Sequence, residues 1–215
     1  LLEQRNDKTR HRLLKIRAKK VICATGSLER PLIFDNNDRP GILLSSAIEK
    51  YANLFGVACG EKNVLFTNND SAYESALSLN DKGIKVEAIV DIRKQSETNL
   101  EKRVIDSGIK IYWEHTVVDT SGYKRLNNVS IMKLSNDGTS VTGNKISISC
   151  DCLGVAGGWT PAVHLYTQSG SKLAFDEDKK IFIPNKNDKA FLISSIYIEN
   201  INSRKNELIR KNNVM

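Results

Sequence analysis

Two runs of small residues have the placement of a nucleotide-binding edge. Ala24-Thr25-Gly26 follows the apolar stretch Lys20-Val-Ile-Cys23, and Gly157-Gly158-Trp159 follows Cys152-Leu-Gly-Val-Ala156, each with a proline a few positions on, Pro31 and Pro161. Small residues at the carboxyl end of a parallel strand let a dinucleotide approach the backbone, where bulky side chains would block it. A lone Ala-Thr-Gly triplet is more often an ordinary strand-to-loop turn. Its recurrence about 130 residues later, with a strand–helix–strand pattern between, favours the ligand edge. Trp159 has two readings, a ring stacked on a ligand or a plug in the sheet edge, and its place beside Gly158 favours the first.

The strand–helix–strand pattern between the two runs can be held against the dinucleotide fingerprint. Such a site needs G-x-G-x-x-G between the first strand and the helix, and an acid at the end of the second strand. Asp91 stands at the acid's position, but the turn reads Thr67-Asn68-Asn69-Asp70-Ser71-Ala72, with no glycine. Asp70 would put a carboxylate where pyrophosphate docks on a helix N-terminus. Asp70 or Ser71 is therefore expected as a helix N-cap, worth about 1 kcal/mol, and Asp91 as a solvated strand end. This inner unit reads as structural.

Other chemistries find little support. His11, His115 and His164 stand apart, without metal-ligand spacing or a nucleophile motif, so no catalytic or metal-binding residue is assigned. Cys23, Cys59, Cys150 and Cys152 form no C-x-x-C pair. Cys150 and Cys152 are expected on one strand face with Asp151 on the other, as packing residues; Cys23 and Cys59 read as core. Without a redox pair or a secretory leader, a reducing, cytoplasmic setting is expected. The formal charge of +7 is concentrated at Lys8–Lys20 and Arg204–Lys211, with no aromatic interleaving or zinc spacing to support nucleic-acid recognition. No window approaches the roughly 18 apolar residues of a membrane span.

These residues need elements to hold them. Arg12–Ala18 alternates basic and apolar residues as a half-exposed strand would, and Ser45–Phe55 is an amphipathic helix stopped by Gly56. Strands are expected at Asn63–Thr67 and Val86–Asp91 around a helix from Ser71 to Lys82 closed by Gly83. A helix over Ser96–Ser107 and a strand at Ile109–Trp113 follow. Val117-Val118, Asn128–Leu134 and Lys145–Ser149 read as antiparallel strands, with Asn136-Asp-Gly138 as a hairpin turn. Phe175–Pro184 suggests a further hairpin and Ala190–Ile193 one more strand before a basic helix.

Three separated motifs carry a family resemblance. Ala24-Thr-Gly-Ser-Leu-Glu-Arg-Pro-Leu-Ile-Phe-Asp-Asn-Asn-Asp-Arg-Pro-Gly41, Phe66-Thr-Asn-Asn-Asp-Ser-Ala-Tyr73 and Gly157-Gly-Trp-Thr-Pro-Ala-Val-His-Leu165 closely resemble, in the same order, the α subunit of heterotetrameric sarcosine oxidases. The resemblance runs from about Arg12 to Pro184, while the family's α subunit is far longer, so an internal segment is expected.

The resemblance implies an α/β fold of the FAD/NAD(P)-binding, disulfide-reductase-like kind, a partial outer nucleotide domain with an inserted βαβ domain. It divides the chain into 1–58, the end of the first nucleotide domain; 59–150, the inserted domain; and 151–215, the return to the first. NAD is implied in this subunit, FAD and FMN elsewhere in the complex, tetrahydrofolate as co-substrate, and β, γ and δ subunits as partners. The family oxidatively demethylates sarcosine to glycine. Ala24, Thr25 and Gly26 would line the cofactor cleft, Gly157, Gly158 and Trp159 the return crossing, and Ser194 and Ser195 would fall at the last strand. The glycine-rich pyrophosphate loop is expected upstream of Leu1, which would leave this segment inactive alone. Two alternatives stay open: a non-catalytic scaffold or truncated remnant, and the α subunit of a related amine or imino-acid dehydrogenase.

Overall fold

The computed structural model describes residues 2–5, 8–11, 15–19, 21–185 and 190–192, with side chains described for 15–19 and 21–185. They fall into two compact units, an inserted one of Leu28–Thr160 and a flanking one made of Leu1–Ser27 and Pro161–Met215. The inserted unit is wider than the 59–150 expected from sequence. The strands at 42–44 and 152–156 belong to the inserted unit's sheet, and the helix at 45–55 packs on it.

In chain order the elements begin with β1 (Leu2–Arg5) and β2 (Lys8–His11), an antiparallel pair, and then β3 (Val21–Cys23) and β4 (Ser27–Glu29). Lys15–Ala18 are exposed and form no strand. Alternation of basic and apolar residues makes a strand only where a neighbour supplies the ladder, and among the described residues none pairs with Lys15–Ala18; residues 12–14 lie outside the described residues.

The inserted unit continues with β5 (Ile42–Leu44), α1 (Ser45–Phe55), β6 (Asn63–Thr67), α2 (Ser71–Asn80), β7 (Val86–Asp91), α3 (Asn99–Asp106) and β8 (Lys110–Trp113). An antiparallel meander follows, β9 (His115–Ser121), β10 (Asn128–Leu134) and β11 (Val141–Ser149), and then β12 (Cys152–Ala156) and β13 (Trp159–Pro161). Five strands form one parallel sheet in the order β5-β12-β6-β7-β8.

Both faces of that sheet are covered, which is why its strands read as continuous apolar runs. Leu65, Ile89, Cys152 and Ala156 face α1, α2 and α3, packing on Ile48, Ala72, Ala76, Leu79 and Val104. Val64, Phe66, Val90, Leu153 and Val155 face the meander, against Val117, Val129 and Ile131. Alternate residues of one strand thus serve two cores, as the period of 2 requires. Cys150 belongs to the meander-side core and Cys152 to the helix-side core. They do not share a face, because Asp151 is a bend that precedes the strand, with its carboxylate accepting from the backbone N–H of Glu61 (3.1 Å) and Lys62 (2.8 Å). Burial pushes both thiols up to about 12, consistent with packing roles.

The flanking unit adds α4 (His164–Gln168), the hairpin of β14 (Leu173–Asp176) and β15 (Ile181–Pro184), and β16 (Ala190–Leu192), which pairs in parallel with β3. The basic helix expected beyond residue 193 lies outside the described residues. Among the described residues no helix is long and apolar enough to cross a membrane.

Candidate functional site

In an open parallel sheet, ligands lie past the carboxyl ends of the strands, at the point where the strand order reverses. In the inserted unit that point is between β12 and β6, since the chain runs outward from β6 to β7 and β8 and returns on the other side as β12. Side chains of the β6–α2 turn bridge this crevice. The Thr67 hydroxyl donates to the carbonyls of Asn69 (2.8 Å) and Ala156 (3.3 Å), and Asn69 Nδ2 donates to the Ala156 carbonyl at 3.0 Å. Asn68 Nδ2 reaches the Gly157 carbonyl at 3.4 Å, and Trp159 Nε1 donates to Ser71 Oγ at 3.3 Å. Trp159 thus spans from the end of β12 to the first residue of α2.

The N-terminus of α2 is capped from within. Asp70 occupies the N-cap position but its carboxylate makes no cap hydrogen bond; Asn69 Oδ1 accepts from Ser71 N at 3.0 Å and from Ser71 Oγ at 2.5 Å. Asp70 Oδ1 instead pairs with Arg93 Nη1 at 2.8 Å. The N-cap position is thus one that the sequence suggests, but the side-chain acceptor is Asn69, while the Asp70 carboxylate is engaged by Arg93.

Asp91 is not solvated: it is 1% exposed. Its Oδ2 accepts from the Tyr73 hydroxyl at 2.9 Å and from Arg93 Nη2 at 2.8 Å, and its Oδ1 from the Arg93 backbone N–H at 2.8 Å. Burial and the neighbouring Asp91 both hold the Tyr73 phenol well above its ordinary range. Burial alone would lower the Arg93 pKa, but its hydrogen bonds to Asp91 and Asp70 outweigh that and raise it. Tyr73 and Arg93 are the residues sequence reasoning missed. An acid followed two positions later by arginine at a strand end was the available signal.

The glycines of the second run have a structural occupant beside them. Gly157 N donates to the Arg30 carbonyl at 2.6 Å and Arg30 N to the Gly158 carbonyl at 2.8 Å. A Cβ on Gly157 would lie 2.7 Å from the carbonyl oxygens of both Arg30 and Pro31. Nearby, Glu29 is buried, and its Oε2 accepts from Ser46 N at 3.0 Å, at the start of α1. Burial raises the Glu29 pKa.

In the flanking unit, the Thr25 hydroxyl donates to the Ala162 carbonyl at 2.6 Å, and Ala162 N donates to the Gly26 carbonyl at 3.0 Å. Gly26 has φ +68° and nothing within 4 Å of where a Cβ would stand. Ala24 is exposed, so this turn presents backbone with open space beside it, the feature a dinucleotide contact needs. Ser194 and Ser195 lie outside the described residues. The structure thus joins Gly157 and Trp159 to the β6–α2 turn and Gly158 to Arg30 in one unit, and Thr25 and Gly26 to Ala162 in the other. Among the described residues no cluster of three or more His, Cys, Asp or Glu could hold a metal ion.

No family model matches the chain. Over 179 residues, 82% of its length, it is 37% identical to the sarcosine oxidase α subunit of Corynebacterium sp. strain P-1. Over 172 residues, 80% of its length, it is 35% identical to that of Rhizobium meliloti strain 1021.

The chain is homologous to a segment of the sarcosine oxidase α subunit. It spans 18% and 16% of the lengths of those two relatives. Among solved structures, thioredoxin reductase of T. acidophilum is similar with a TM-score of 0.60 at 19% identity, over 87% of this chain and 58% of that one. A FAD-dependent pyridine nucleotide-disulphide oxidoreductase of Desulfovibrio vulgaris gives 0.53 at 18% identity, over 83% and 47%. The fold is that of the FAD/NAD(P)-binding disulfide oxidoreductases, as the motifs led us to expect.

Proposed function

We propose that this chain is part of the NAD-holding region of an α subunit of heterotetrameric sarcosine oxidase, an oxidoreductase acting on CH–NH donors. The assembly oxidises the N-methyl group of sarcosine, leaving glycine and either free formaldehyde or methylene-tetrahydrofolate, while dioxygen is reduced to hydrogen peroxide. FAD and FMN lie elsewhere in the complex, with β, γ and δ subunits as partners. The observation that carries this reading is the 37% identity maintained over 82% of the chain.

Within the chain, Ala24, Thr25 and Gly26 are the residues assigned to NAD, through backbone contact at an open, positive-φ turn. Gly157, Gly158 and Trp159 are assigned as the return crossing near the cofactor, and Ser194 and Ser195 to the last strand beside it, as the resemblance implies. No residue here is assigned to sarcosine itself. Calorimetric titration of NAD into the intact protein that contains this segment, alongside sarcosine-dependent oxygen uptake, tests the proposal. Saturable NAD binding that Gly26→Val weakens at least tenfold is expected. Absence of NAD binding by the folded wild-type protein overturns it.

A further inference from the structure

A dinucleotide bound in a strand–helix–strand frame needs free N–H groups at the helix N-terminus, space at the first turn, and an acid free to accept from a ribose hydroxyl. In the inserted unit this chain's own side chains take up all three. Ser71 N is bonded to Asn69 Oδ1. The turn that would be glycine is filled by Thr67, Asn68 and Asn69, which are hydrogen-bonded across to Ala156 and Gly157. Asp91 has both oxygens bonded, by Tyr73 and Arg93. Negative charge at the start of α2, which a pyrophosphate would supply, comes from Asp70.

We infer that the inserted unit is a dinucleotide frame closed by its own side chains, with Arg93 linking the two carboxylates that stand at the places of the pyrophosphate and of the ribose acceptor. The β6–α2 turn therefore holds no nucleotide. Arg93 does not serve a ribose 2′-phosphate, because its guanidinium is already committed: Nη1 to Asp70, and Nε and Nη2 to Asp91, at 3.1 and 2.8 Å. The inference rests on the proposed function only in allowing one NAD elsewhere in the chain.

The test is hydrogen exchange on the intact protein, with and without saturating NAD, NADP or FAD, together with the affinity for NAD. Exchange at residues 67–72 and 91–93 is expected to stay unchanged with every nucleotide. Arg93→Lys is expected to lower the Tm while leaving NAD affinity within about twofold. Protection of either segment, or a tenfold loss of NAD affinity in folded Arg93→Lys protein, overturns the inference. If NAD protects no residue at all, the proposed function fails while the closed frame stands.

Discussion

The Tyr73 hydroxyl donates to Asp91 at 2.9 Å, tying the first turn of α2 to the end of β7 across the sheet edge. Both residues are 1% exposed, so the bond is made where water cannot replace it. Tyr73→Phe removes the donor but leaves Asp91 its bonds to Arg93. A loss of about 1–2 kcal/mol is expected, the cost of one buried acceptor losing a partner. Urea denaturation at neutral pH measures it; a loss under about 0.5 kcal/mol would mean that Arg93 alone satisfies the carboxylate.

Arg93 reaches two carboxylates of different burial, and they should not count equally. Asp91 is buried, so Arg93→Ala strands its charge; the expected loss is about 3 kcal/mol, the low end for a broken buried pair, since the Arg93 side chain is 36% exposed. Asp70 is 60% exposed, and its arm of the network is worth less than about 1 kcal/mol. A double-mutant cycle with Asp70→Ala and Arg93→Ala should therefore give a coupling energy below about 1 kcal/mol, with most of the Arg93 effect persisting in the Asp70→Ala background.

The inserted frame was legible in the chain because its pattern is periodic: α1, β6, β7 and β10 lie where the alternation put them. Asp91 was misread because its environment is set by partners from elsewhere. Tyr73 meets it only through the rotation of α2, which apolar periodicity places on the core side without saying where a hydroxyl will end. Cys150 and Cys152 were misread for a different reason. Alternation was carried through Asp151, whereas that residue caps the Glu61-Lys62 turn and resets the phase before β12 starts. The open turn at Ala24–Gly26 was readable as small residues, but the crossing of Arg30 over Gly157 is a tertiary contact that no local pattern announces.

Gly157 and Gly26 should respond differently to the same change. Alanine at Gly157 would place a Cβ 2.7 Å from two backbone carbonyl oxygens, which cannot swing aside as a side chain could. A loss at the upper end of about 1–3 kcal/mol is expected, as for an overpacked core. At Gly26 alanine meets no atom within 4 Å, and only the φ of +68° opposes it, at about 1–2 kcal/mol. Thermal melts of the two variants should rank Gly157→Ala as the more damaging. The reverse order would show that the Arg30–Pro31 chain yields.

Glu29 gives the inserted unit a pH dependence of calculable sign. Burial, with the like charge of Glu49 adding to it, raises its folded pKa above the ordinary glutamate value of 4.5, and the hydrogen bond from Ser46 N only partly opposes this. A group whose folded pKa is raised contributes its full stability below the unfolded pKa and loses it as pH rises through the folded one. Stability should therefore fall as pH rises from about 4.5 toward neutrality by the amount this residue contributes. Glu29→Gln keeps an oxygen for Ser46 N and carries no charge, so it should remove that fall: the variant should gain on the wild type as pH rises, as read by urea midpoints at several pH values. Parallel curves for the two proteins would mean that Glu29 ionises in the fold as freely as it does in the unfolded chain.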